Sequence, residues 1–338
     1  MSNRIGGFFR KTRGIGLLAA ASLALASCQQ APEPLSPAEL EEKRAELANI
    51  LDDPIKRSNL IARIMGSTEE AERHAFMKFH IFGYAGDGNL IPFFTMNNYI
   101  IQEWSPDENG VFNVTHREVA YYSKFDTNEA IDEWENPLTG ETIKLPHFVL
   151  GPVPRQYGPG LGEGADSFAP DPLNITMIGD RVYVPTLTRL TVPNSLQPEE
   201  WGVYSSGETV YWDSMLVFSA DARDALDETK THVPAEIHMQ NLISWAPYLK
   251  LGQSPGRTMV RAYGQHISGY DDLPADIRAN FEKYTPEIFD LESWTDLRMD
   301  AAELAMSLMA QREAGTLDID QPDYVAPRIK RFDEVVIP

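Results

Sequence analysis

The chain has 338 residues and a single cysteine, Cys28. No intramolecular disulfide can form, and zinc sites built from several thiolates are excluded. Basic charge is also scarce. Lys and Arg number 29 against 50 Asp and Glu, a formal net charge of −21. That balance argues against nucleic-acid binding, which needs a basic stripe, and against adsorption to anionic lipid headgroups. Long apolar runs are missing outside the N-terminus, so nothing else is suited to span a bilayer as a helix. No Gly-x-Ser-x-Gly elbow, Walker loop or dinucleotide fingerprint occurs, and no internal repeat is visible. The glycines of Tyr157-Gly158-Pro159-Gly160-Leu161-Gly162 have no strand-to-helix context and no following Lys, so they do not make a phosphate cradle.

What is present begins with an address. Arg4, Arg10, Lys11 and Arg13 form a positive segment, Gly14 to Leu25 a short apolar one, and Leu25-Ala26-Ser27-Cys28 follows. This pattern resembles a bacterial lipobox, with residues 1–27 removed as a signal peptide and Cys28 lipidated. Two or three acyl chains hold a protein on a bilayer where one would not. Gln29 and Gln30 offer no Asp for inner-membrane retention, so the expected location is the cell envelope, at the outer membrane facing the periplasm in a Gram-negative host. Residues 28–37, rich in proline, read as a tether between lipid and fold.

A single domain is expected over residues 38–338. Ser36, Pro37 and Glu39 spell a capping box, opening a helix to about Leu51. Asp53-Pro54 opens a second, ending near Gly66, so helices cover about 38–65. From His74 the hydrophobic period becomes two, and a β core is expected over about 74–267. Its strands include Leu90–Ile101, a meander through Phe112–Tyr122, Ala130–Trp134 and Glu141–Leu145, then Leu173–Ile178, Arg181–Thr191, Glu208–Ser219, Val233–Trp245 and Arg257–His266. Residues 151–171 read as a long Gly/Pro-rich loop that closes a mouth. Helices return at Pro274–Tyr284 and Leu297–Gln311, and the tail is extended. The fold class is therefore mainly β: one antiparallel, strongly curved sheet or barrel-like domain with N- and C-terminal helices.

Four stretches carry a family resemblance: Arg117–Tyr122, Trp134-Glu135-Asn136-Pro137-Leu138-Thr139-Gly140-Glu141, Ser206–Thr209, and Trp245-Ala246-Pro247-Tyr248 through Gly256. Gly269-Tyr270-Asp271-Asp272-Leu273-Pro274 adds a fifth. Together they resemble the uncharacterised bacterial family called domain of unknown function 1838. The resemblance implies one domain over most of the mature chain. It brings no activity, cofactor or catalytic residue with it, and no cofactor is read from the residues either.

Strand alternation then sorts the polar groups. His116, Glu118 and Tyr122 share one face of their strand, and Arg117 and Tyr121 the other. A carboxylate beside an imidazole suits acid–base work. On Val233–Gln240, Glu236 and His238 share a polar face. If that face turns inward, His116, Glu118, Tyr122 and His238 form a catalytic set, and Glu236, His238 and His116 a metal site. If it turns outward, these groups are solvated. Arg117, Tyr121, Trp134, Glu208, Trp212, Trp245 and Arg261 are candidates for holding a ligand. The leading expectation is a lipid-anchored protein that binds a small, partly apolar organic molecule in a barrel-like pocket. An enzyme using His116, Glu118 and His238, or a structural adaptor, are the alternatives.

Overall fold

In the computed structural model the described residues are 33–85, 89–107, 110–159, 175–290, 297–298 and 301–336. The expected signal peptide and most of the tether lie outside them. Leu35–Pro338 form one compact unit.

The chain enters this unit through two capped helices. Ser36 receives the Glu39 N–H at 3.4 Å, and the Glu39 carboxylate receives the Ser36 N–H at 2.7 Å. That reciprocal box starts α1, Pro37–Asp52. Asp53 then accepts from the N–H groups of Ile55 and Lys56 to start α2, Pro54–Met65. The inner face of α2 buries Leu60, Ile61, Ile64 and Met65. Arg63 is buried too, and its guanidinium is spent on the carbonyls of Lys230 and Ala225 at 2.7 and 2.8 Å. Those bonds offset the cost of burying the charge and pin the helix to a distant loop.

The strands are β1 Ala71–Tyr84, β2 Leu90–Pro106, β3 Phe112–Ser123, β4 Glu133–Glu135, β5 Thr142–Lys144, β6 Phe148–Tyr157, β7 Thr176–Ile178, β8 Arg181–Pro193, β9 Thr209–Asp221, β10 Glu236–Ile243, β11 Arg257–Ile267 and β12 Leu297–Arg298. Ten of them form one antiparallel sheet in the order β12-β6-β3-β2-β1-β11-β10-β9-β8-β7. The order is two wings: β1, β2, β3 and β6 step outward one way, and β7 to β11 step back to meet β1. The sheet curls into a half-barrel. At the seam between the wings, Gly264 of β11 pairs with Met77 of β1. A Cβ on Gly264 would sit 2.1 Å from the Phe76 carbonyl oxygen, so only glycine lets the two backbones approach this closely. The mainly β class with helices toward both ends is thus the observed architecture.

Three expectations change. The stretch 112–145 is not a three-stranded meander. Only β3 joins the large sheet, while β4 and β5 form a separate two-stranded sheet. That hairpin turns its apolar residues, Leu138, Ile143 and Leu145, inward against the body. The place beside β3 goes to β6, so residues 148–157 are strand rather than loop. Residues 160–171 of the expected loop lie outside the described residues. The later helices are α3 Pro198–Trp201, α4 Ala222–Ala225, α5 Ala275–Tyr284 and α6 Ala301–Glu313. The last starts at Ala301 and not at Leu297, because Leu297 and Arg298 pair with Gly151 and Leu150 of β6.

The two faces of the sheet are packed differently. The outer face of β2 and β3 carries Tyr99, Ile101, Val119 and Tyr121 under α5, Ala275–Tyr284, with Phe281 fully buried among them. The inner face carries the main core: Ala75, Met77, Phe79 and Ile81 from β1, Ile237 from β10, and Val260 and Ala262 from β11.

Candidate functional site

The concave face does not close on itself, and a cavity of about 840 Å³ occupies its hollow. Cavities of roughly 300–1,000 Å³ are the usual size for a small organic ligand. Its walls are mostly apolar, with Met77, Phe79, Met96, Ile100, Leu216 and Met239 prominent. Several of these are only half-buried, although they point inward, because their surface faces the hollow. Trp212 and Trp245 line the same space, and the Trp245 indole N–H donates to the Ser254 carbonyl at 3.1 Å. Leu304 and Ala305 of α6 and the 193–196 segment contribute from the open side.

One wall is polar, and it is built by the register of three strands. Gln102 of β2 faces His116 of β3, and Ile100 faces Glu118. A bulge against β6 falls between His116 and Glu118, yet both side chains line the cavity. Their orientation follows from a chain of donors. The indole N–H of Trp104 can only donate, and it gives to Gln102 Oε1 at 3.1 Å. The Gln102 amide nitrogen therefore faces His116 Nδ1, 3.2 Å away, as donor. This leaves the imidazole proton on Nε2, which lies 3.5 Å from Glu118 Oε2. Asn98 Nδ2 donates to the same oxygen at 3.4 Å.

The charges follow from this surrounding. Burial lowers the pKa of His116, Arg155 adds to the effect, and Glu118 opposes it without prevailing. The imidazole is neutral at neutral pH. Burial by itself would raise the Glu118 pKa, but the hydrogen bond and charge of His116, with Arg155 and Asn98, hold it below the ordinary carboxylate value. Glu118 is an ionised group on a mostly apolar cavity that Arg155 also lines. Near the C-terminal end of β3, Tyr122 is hydrogen-bonded to Tyr248. Burial, followed by its contact with Tyr122, pushes Tyr248 well above the usual tyrosine value, and burial raises Tyr122 as well, so both are neutral phenols. Toward the other end Ser214 donates to Asn241 at 2.6 Å.

Of the residues expected from sequence, His116, Glu118, Tyr122, Trp212 and Trp245 thus meet around one cavity. The others do not. Ile237 of β10 lies in register with Gly264 and, through it, with Met77, so Ile237 points inward and its neighbours Glu236 and His238 point out. Both are more than half exposed, and Glu236 pairs with Arg181 at 3.2 Å. His238 therefore cannot join His116 in catalysis, and the metal set of Glu236, His238 and His116 is not assembled. Among the described residues no group of three His, Cys, Asp or Glu is placed to hold a metal ion. Arg117 lies on the outer face and pairs with Glu103 at 3.0 Å. Tyr121 packs its ring edge-on against Phe281 under α5. Arg261 is exposed, 5.9 Å above the Phe82 ring. Glu208 is exposed just before β9. Trp134 packs on Phe93 and Phe94 behind the cavity wall. Sequence reading missed Asn98, Gln102, Arg155 and Tyr248. The signal was there for two of them: Asn98 and Gln102 are amides inside the long apolar run of β2.

The signature stretches also meet in space. Asn136 Nδ2 donates to the Leu249 carbonyl at 3.0 Å, and its Oδ1 accepts from the Leu138 N–H at 2.9 Å. The β4–β5 hairpin is thereby bound to the Trp245–Gly256 stretch that helps wall the cavity. The model of the family described as Protein of unknown function (DUF1838) matches residues 78–297, and the chain belongs to that family. It is the family those stretches resemble. No curated protein matches the chain.

Proposed function

We propose that this DUF1838 protein binds a small, partly apolar organic molecule inside its half-barrel. One observation carries the reading: a hollow of about 840 Å³ with mostly apolar walls and a polar wall around an ionised Glu118. Apolar walls supply affinity by removing ligand surface from water, at roughly 25 cal/mol per Å² before the costs of association. A few fixed polar groups supply orientation. Native mass spectrometry on gently purified protein tests it. The expected result is a retained small molecule, less of it in a Met239→Trp variant whose indole intrudes on the hollow. A wild-type protein that carries nothing and binds no apolar probe would overturn the reading.

The second part of the proposal is the address. The segment before Cys28 and the residues around it support lipidation at Cys28 and anchoring on the cell envelope, with the bilayer as the partner. No helix among the described residues is long and apolar enough to cross a membrane. The cavity would then sit within a tether's length of a source of apolar molecules.

A further inference from the structure

Around Glu118 the nearest donors gather at one oxygen. Asn98 Nδ2 and His116 Nε2 both approach Oε2, at 3.4 and 3.5 Å. Gln102 spends its amide on His116 and its oxygen on Trp104. No hydrogen bond reaches Glu118 Oε1 among the described residues, and this oxygen is not among the buried, unpartnered atoms. The side chain keeps 18% of its surface, and that surface opens on the cavity. Glu118 Oε1 is therefore an acceptor that faces the hollow without a donor. An unpaired acceptor in an apolar hollow is costly, and a charged one more so. What relieves the cost is a hydrogen-bond donor carried by the occupant.

We infer that the ligand is an amphiphile whose polar end carries a hydroxyl or amino group held by Glu118 Oε1, and that carboxylate-ended or phosphate-ended amphiphiles are disfavoured. The inference rests on the proposed ligand-binding role. An anionic headgroup would bring like charge against Glu118 and give Oε1 no donor, while Arg155, a cation that also lines the cavity, already acts on Glu118. A hydroxyl or amine fills the missing donor and leaves the chain in the apolar part, beside Met77, Met96, Leu216 and Met239. Discrimination by a missing hydrogen bond in a buried site is far larger than discrimination by one methylene.

The test is displacement of a fluorescent apolar probe from the purified protein at pH 7 by decanol, decylamine and decanoate. Decanol and decylamine are expected to displace it at concentrations at least tenfold lower than decanoate. In Glu118→Gln, which keeps size, supplies a donor and removes the charge, the gap is expected to shrink below threefold. Decanoate equal to or better than decanol on the wild-type protein would overturn the inference. So would an unchanged gap in a Glu118→Gln protein with a native circular dichroism spectrum. If that variant fails to fold, the wild-type ranking decides alone. Failure of all three compounds to displace the probe would overturn the ligand-binding reading itself, which separates the two results.

Discussion

Acid should loosen this protein through one buried imidazole. His266 sits on β11 opposite Ala75, on the inner face of the sheet. Burial drives its pKa down to about 4, and the positive charges of Arg73 and His232 push the same way. The carbonyls of Val233 and Met65 pull upward and do not prevail. The Val233 oxygen lies 3.4 Å from Nδ1. In an unfolded chain the same imidazole titrates near ~6.5. Above that pH both states are neutral and His266 has no effect on stability. As pH falls below ~6.5, the unfolded chain takes up a proton that the folded one refuses, and folding weakens. Below about 4 both states are protonated and the loss levels off. Between pH 7 and 4.5 the loss is about 2.5 kcal/mol by linkage. Urea unfolding of wild type and His266→Gln at several pH values reads it directly. Glutamine keeps a donor for the Val233 carbonyl and cannot ionise. The variant's stability should fall less over this range than that of the wild type, by about 2.5 kcal/mol. Carboxylates and His116 contribute equally to both proteins and cancel. Parallel curves, or an NMR titration of His266 with a midpoint near ~6.5, would refute the reasoning.

Two further outcomes follow from other parts of the molecule. Gly264→Ala should lower stability by about 3 kcal/mol, the upper end for overpacking, because the clash is with the Phe76 backbone and not with a movable side chain. Gly269→Ala, in open space with an extended φ of 169°, should change stability by less than about 0.5 kcal/mol. Equal urea midpoints for the two variants would contradict the close approach at the seam. Cys28→Ser should move the protein from the membrane to the soluble fraction of its host, and retention in the membrane would sink the proposed anchoring.

Much of the fold was legible because local chemistry and tertiary context agree there. Ser36 to Glu39 spells a capping box and forms one. The alternation of Ala75, Met77, Phe79 and Ile81 names the inner face of β1 residue by residue. Legibility fails where partner choice is non-local. Nothing in residues 130–145 says whether their strands extend the sheet or pair only with each other, since either choice buries Ile143 and Leu145. Likewise, Gly151, Pro152 and Pro154 read as loop residues, but the free edge of β3 offers them a ladder that tolerates prolines. The family signature was legible as a pattern. Its physical reason, Asn136 bridging the β4–β5 hairpin to Leu249, needs the two stretches side by side.

The site was legible only by half, and two pairs of residues explain why. His116 with Glu118 and Glu236 with His238 have the same spacing on a strand. Their surroundings in sequence differ. On β10 the apolar residues Ile237 and Met239 occupy one parity and the polar residues Glu236, His238 and Gln240 the other, with Asn241 and Leu242 as the exceptions. Such clean alternation marks a strand with one wet face, and its polar parity goes to water. On β3 both parities carry apolar residues: Val114, Ala120 and Tyr122 on one, Val119 and Tyr121 on the other. A strand of that kind is covered on both faces, by the cavity side and by α5, so its polar residues have no water to turn to. From Thr115 to Glu118 they are buried or half-buried whichever way they point, and burial is tolerated only with partners. That requirement, applied to the sequence, predicts polar partners on the neighbouring strand. Asn98 and Gln102 of β2 are those partners. The ambiguous strand, not the cleanly alternating one, was the place to look for the polar wall.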